Sequence, residues 1–196
     1  MPNLPVNLTP RIEAQRIYLR SYKKGDGGMY WAASLRNRQH LQRYESGNSM
    51  MSIHNEEQAE AVIGEYIAGW TAGSYFVLGV FDKTTDAFVA QVYVGVVDRE
   101  LPEFEVGYIA DVAHQGQGDV TEAVKAVLGM LFGPLMARRV SIHCRDSNLR
   151  SQCVAERCGF RLEGRIRENK RLPDGTFEGD YYYGLSKKEY DLSTQP

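Results

Sequence analysis

The feature that most constrains this chain is a change of pattern near residue 75. Three consecutive runs, Tyr75–Phe81, Phe88–Val97 and Phe104–Ile109, are dense in Val, Phe and Tyr, and the polar turn Asp82–Asp86 separates the first two. Such residues suit a pleated, half-buried surface, so the runs predict three strands of an antiparallel meander. Directly behind the third run comes Gln115-Gly116-Gln117-Gly118, followed by a helical pattern from Thr121 to Phe132 that Gly133-Pro134 stops.

The flanking segments mix both periods. Arg16 to Arg20 alternates polar and apolar residues, a strand with Ile17 and Leu19 facing inward. Asp26 in the glycine-rich turn 25–28 is placed to cap a helix carrying Met29, Tyr30, Ala33 and Leu35. Asn55 with Gln58 resembles a capping pair for a longer helix bearing Ala59, Val62, Ile63, Tyr66 and Ile67. Beyond the glycine-rich turn the pattern reads strand (Val140–Cys144), helix (Ser151–Arg157, closed by Gly159), strand (Leu162–Arg167), turn (Pro173-Asp174-Gly175) and strand (Tyr181–Leu185). No repeat, linker or low-complexity segment interrupts this order, which predicts one α+β domain over residues 11–190 with tails at 1–10 and 191–196.

A chain of 196 residues with 43% hydrophobic content is long enough to bury a full core without staples. A formal charge of −2 excludes the global basicity of a dedicated nucleic-acid binder. Cys144, Cys153 and Cys158 are odd in number and match no zinc spacing, so neither a disulfide framework nor a metal site is expected. With no signal-like or membrane-spanning apolar run, a cytoplasmic protein is expected.

Successive amides at a glycine-rich helix start converge on one point, and the helix dipole adds about half a positive charge there. An anion such as a pyrophosphate is stabilised by that arrangement; the plainer alternative is that Gly116 and Gly118 only permit a tight turn. The turn lacks the third glycine of a dinucleotide fingerprint and the Gly-Lys-Ser/Thr ending of a P-loop, so neither of those ligand classes is favoured.

The longer stretch Glu105–Ala123, EVGYIADVAHQGQGDVTEA, resembles the acetyl-coenzyme A motif of the GNAT N-acetyltransferases, in particular the RimJ/RimL-like branch that acetylates protein N-terminal amines. The similarity continues through Arg139–Ile142, Asp146–Ser151 and Val154–Gly164, and the opening Arg16–Arg20 is similar to that branch's first strand. The resemblance implies a mostly antiparallel twisted sheet flanked by helices, and direct transfer of an acetyl group from acetyl-CoA to a primary amine without a metal. It implies that the amides of Gly116, Gln117, Gly118, Asp119, Val120 and Thr121 hold the coenzyme pyrophosphate, with Gln115 filling the first position of the family's coenzyme-binding signature. It departs from the family pattern at Val120, where glycine or alanine is usual, and at Asp119, whose carboxylate would sit beside phosphate. The thioester carbonyl would meet a backbone N–H in the Ile109, Ala110, Asp111 region, and Asn148 the pantetheine arm.

Acyl transfer also needs a deprotonated amine and a proton for the leaving thiolate. An α-amine titrates near ~8 against ~10.4 for lysine, so an N-terminal acceptor needs less help from a base. Glu105 is the first candidate base, against the alternative of a solvated strand carboxylate, and Glu168 is a reserve. Ser151 falls where the resemblance implies a proton donor to sulfur, against an ordinary serine at a helix start. Asn148 has the parallel alternative of a turn asparagine. His114 reads as packing beside the turn, and the cysteines as small core residues rather than nucleophiles.

Residues 136–175 hold ten basic and five acidic side chains, which reads as ordinary solvated faces or as a basic surface near phosphates. The most favoured acceptor is a protein N-terminus. A small-molecule amine such as an antibiotic or polyamine, and a GNAT-fold binding protein without catalysis, are the alternatives. A homodimer is compatible with the pattern, and no membrane partner is expected.

Overall fold

The computed structural model describes residues 11–172 and 174–194. Among the described residues eight strands form one sheet in the order β1-β2-β3-β4-β5-β6-β8-β7. They are β1 (Arg11–Glu13), β2 (Ile17–Ser21), β3 (Tyr75–Asp82), β4 (Phe88–Asp98), β5 (Glu103–Ala110), β6 (Arg139–Arg145), β7 (Arg161–Arg171) and β8 (Phe177–Ser186). The helices are α1 (Gly27–Tyr44), α2 (Glu56–Ala72), α3 (Asp119–Phe132), α4 (Leu149–Arg157) and α5 (Lys187–Thr194). The expected meander is β3-β4-β5, paired antiparallel throughout.

Both faces of the sheet are covered. Phe76, Leu78, Val92 and Phe104 face α3, where Val124, Val127, Leu128 and Leu131 bury the apolar stripe of that helix. The opposite face carries Tyr18, Val77 and Phe81 against Tyr30, Leu41, Ile63 and Tyr66 of α1 and α2. Coverage on both sides explains why Tyr18 is buried beside Ile17 and Leu19 rather than alternating out to water.

Several local expectations are corrected. Asp26 occupies the start of α1 but makes no side-chain cap; its carboxylate accepts two bonds from Arg20, at 2.6 and 3.0 Å, and one from the Lys23 amide. Leu35 is 54% exposed because the inward stripe of α1 runs through Tyr30, Ala33, Asn37 and Leu41, and position 35 lies on the far side of the helix. Asn55 does cap α2, accepting from the Gln58 amide at 2.8 Å, while the Gln58 side chain returns to the His54 amide. The boundary expected at 190 falls inside α5, so residues 191–194 are helical rather than tail. Residues 1–10, Pro173 of the expected turn, and 195–196 lie outside the described residues. Among the described residues no helix is long and apolar enough to cross a membrane.

One buried polar network sets the position of α1 over the end of β5. Asp111, fully buried, accepts from Arg36 Nε at 2.7 Å, from Asn37 Nδ2 at 3.0 Å and from the Ala113 amide at 3.0 Å. Asn37, also fully buried, accepts from the Val112 amide at 2.7 Å. Removing the carboxylate takes one of two acceptors from Asn37 Nδ2, which keeps the Ala33 carbonyl at 2.8 Å, and the only charge partner from the partly exposed Arg36 among the described residues, so Asp111→Ala should lower unfolding stability by about 2 kcal/mol. Urea denaturation checks this, and a change below about 1 kcal/mol contradicts the brace.

Candidate active site

Among the described residues β5 and β6 are the only parallel neighbours in the sheet, and they pair at just three positions, Glu103, Phe104 and Glu105 against Arg139, Val140 and Ser141. Beyond Glu105 the strands part. β5 stays on β4 as far as Ala110, while β6 continues on β8 as far as Arg145. A wedge opens between them. The Asp111 amide donates to the Val89 carbonyl on the β4 side at 2.9 Å, so alternation along the strand turns the Ala110 and Tyr108 amides toward the wedge. The Asp111 amide is thus committed to the sheet, which corrects its expected place at the thioester carbonyl.

The wedge leads into a cavity of about 610 Å³. It is lined by Tyr108, Ile109 and Ala110 of β5, by the C-terminal turns of α1 from Gln39 to Glu45, by the glycine-rich turn with the start of α3, and by α4 with Asn148 ahead of it. Of the residues expected at the site, Ile109, Ala110, Gln115, Gly116, Gly118, Asp119, Val120, Thr121, Asn148 and Ser151 line this one cavity; Glu105, Asp111 and Gln117 do not. Glu105 is half exposed on β5, with its carboxylate 3.8 Å from His143 Nδ1. Glu168, the reserve, sits in the irregular stretch between Ile166 and Lys170 with φ 53° and is absent from the lining.

The turn has the geometry that its glycines suggest. Gly116 and Gly118 take φ values of 78° and 88°, a region that costs an L-residue about 1–2 kcal/mol. Gly118 starts α3 without any side-chain cap, leaving the first-turn amides to the cavity. Asp119 does not leave a bare carboxylate there: it is buried and bound to Arg16 Nη1 at 3.0 Å. Arg16 also donates to the Gln117 carbonyl at 3.1 Å and to Glu122 at 2.9 Å, so one guanidinium clasps the outside of the turn.

Ser151 stands in the first turn of α4, and the cap of that turn is Asn148, which accepts from the Ser151 amide at 3.2 Å. The serine hydroxyl is thereby left for another partner, the Tyr108 hydroxyl, at 3.0 Å. Burial pushes the Tyr108 phenol well above its ordinary value. This Tyr108–Ser151 pair had no signal in the sequence, because the residues are 43 positions apart and tyrosine is ordinary in a strand. Gln115 spans the cavity mouth, with its Nε2 2.9 Å from His40 Nε2 and its Oε1 accepting from Arg150. Burial and Arg150 lower the His40 pKa, which favours the neutral ring.

Part of the basic segment is paired: Arg139 with Glu163, Arg145 with Asp180, Arg161 with Glu189, and Arg165 with Asp146. Arg150 and Arg157 instead reach the cavity, joined there by Arg43. Cys144 and Cys158 are buried, the latter pushed up to about 12 by burial, while Cys153 is exposed on the cavity wall. No cluster of His, Cys, Asp or Glu among the described residues could hold a metal ion.

A mostly antiparallel sheet with one parallel pair splayed beside an uncapped, glycine-led helix start is the architecture of the acyl-coenzyme A N-acyltransferases. Residues 16–161 match the acetyltransferase (GNAT) domain model, and the chain belongs to the GNAT acetyltransferase family. A probable N-acetyltransferase, YjcK, of Bacillus subtilis is 27% identical over 85% of this chain and 92% of its own length. The ribosomal-protein-serine acetyltransferase of Escherichia coli is 37% identical, over 40% of this chain and 44% of its own. Among solved structures, RimL, a ribosomal L7/L12 alpha-N-protein acetyltransferase in complex with coenzyme A, superimposes with a TM-score of 0.81 at 20% identity, covering 90% of this chain and 97% of that one. Mycobacterium smegmatis RimJ, in complex with CoA-disulfide, gives 0.80 at 21%, covering 91% and 88%. The fold is therefore that of the RimJ/RimL-like branch.

Replacing Gly118 by alanine forces a side chain into the left-handed region and should cost about 1 kcal/mol or more of stability. Thermal unfolding checks this, and an unchanged midpoint would contradict the observed turn.

Proposed function

We propose that this protein binds acetyl-CoA in the wedge and transfers the acetyl group directly to a primary amine, with a protein N-terminal α-amine as the favoured acceptor. The observation that carries the reading is the convergence in one cavity of uncapped α3 amides, outward-turned β5 amides and the Tyr108–Ser151 hydroxyl pair.

In this reading the amides of Gly116 to Thr121 take the pyrophosphate, with Arg43, Arg150 and Arg157 adding positive charge along the groove. Arg16 neutralises Asp119 from outside, which removes the repulsion that the Asp119 departure would otherwise bring. The amide of Ala110 or Tyr108 polarises the thioester carbonyl from the strand edge, in the manner of an oxyanion hole. Asn148 fixes the first turn of α4, and Ser151 gives its proton to the departing thiolate, with Tyr108 holding the hydroxyl in place. Glu105 lies outside the cavity lining and would act as base only through water. Similarity to ribosomal-protein acetyltransferases supports the peptide acceptor over a small-molecule amine.

Calorimetric titration with acetyl-CoA should give saturable binding; none would overturn the reading. Arg16→Ala, which frees the Asp119 carboxylate, should weaken that binding about tenfold. Ser151→Ala should lower kcat on a free-amine peptide by roughly a hundredfold, and full activity would remove the serine from the chemistry.

A further inference from the structure

Resting on the acetyl-transfer reading, we infer that Glu45, at the C-terminal end of α1, is the carboxylate that receives the acceptor amine and takes its first proton. Two acidic residues line the cavity, Asp119 and Glu45. Asp119 is consumed by Arg16. Glu45 is half-buried on the cavity wall, yet among the described residues no hydrogen bond or ion pair engages its carboxyl, and its charge reaches the Tyr108 phenol that is bonded to Ser151. A carboxylate on a cavity wall with no partner of its own can pair with an incoming ammonium and accept its proton.

Arg145 of β6 is bound to Asp180 of β8 at 2.8 Å, and Lys170 comes from β7. Tyr108 faces Glu45 from β5; Arg43 and His40 belong to its own helix, and Arg150 to α4. Burial outweighs the two nearby cations Arg145 and Lys170 and pushes the Glu45 carboxyl up to about 7. The end of α1, where helix carbonyls point outward, works in the same direction. A base so poised is part deprotonated at neutral pH and strong enough to accept from an α-ammonium that titrates near ~8.

The ammonium loses one proton to Glu45, which passes it to solvent, and the freed nitrogen lone pair forms the C–N bond at the thioester carbon. As the C–S bond breaks, the electron pair leaves with sulfur. Nitrogen sheds its second proton, and sulfur gains one through Ser151, giving amide, thiol and one released proton.

The test uses the full chain with acetyl-CoA and three amines: peptides with a free serine or alanine α-amine, and spermidine. Glu45→Gln should lower kcat roughly a hundredfold and abolish the rise of kcat/KM through about pH 7, with KM for acetyl-CoA within about twofold of wild type. Glu45→Asp should restore part of the rate and the acid limb, whereas Glu105→Gln should leave that limb in place. Since the fold favours the neutral carboxyl, stability is lost as pH rises from the ordinary carboxylate value of 4.5 to about 7. The Glu45→Gln protein should therefore melt above wild type at pH 8 and alongside it at pH 4, which also establishes that it folds. Wild-type turnover with an unchanged Glu45→Gln pH profile would overturn this inference alone. No turnover by the wild type on any of the three amines would overturn it together with the acetyl-transfer reading.

Discussion

The site depends on how briefly two parallel strands stay together. β5 and β6 share three register positions and then follow different partners, β4 on one side and β8 on the other. Unpaired strand edges inside a fold carry a desolvation cost unless something else bonds them. Here the edge faces a cavity, so its amides remain available to a ligand. Everything else at the site is arranged around that opening: α3 begins at one margin, α4 at another, and the end of α1 closes over it, held by the Asp111–Asn37 network.

Electrostatics divides the cavity into regions of opposite demand. The α3 start and the arginines of α1 and α4 make one region attractive to phosphate, and Arg16 keeps the single misplaced acid, Asp119, from spoiling it. The acidic element left within the lining is Glu45, near the Tyr108–Ser151 pair. A groove that binds an anion along one stretch and a cation at another orients two substrates toward one reacting carbon, which is most of what direct transfer requires.

Much of the fold was legible because its signals are local. The three β-rich runs became β3, β4 and β5, and the two glycines of the turn took the positive φ values that glycine alone adopts cheaply. What could not be read was set by contacts distant in sequence. Arg16 reads as an ordinary strand residue, and only the folded sheet brings it beneath Asp119. Asp26 has the residue type and position of a helix cap, yet Arg20 competes for its carboxylate and wins through charge. Glu45 carries no motif at all; its character comes from burial without a partner. Glu105 shares its face of β5 with Ile109 but lies in the stretch still paired with β6, short of the opening that forms the cavity.

The central claim is that the parted edge of β5 and the start of α3 bind one coenzyme together. Amide-resolved NMR titration of the labelled protein with CoA tests it most directly. Concerted, saturable shifts at Tyr108, Ala110 and Gly116–Thr121 are expected, with the Asp111 amide, bonded to Val89, moving little. Shifts confined to the α3 start, or centred on the β7-β8 hairpin with β5 silent, would contradict the account.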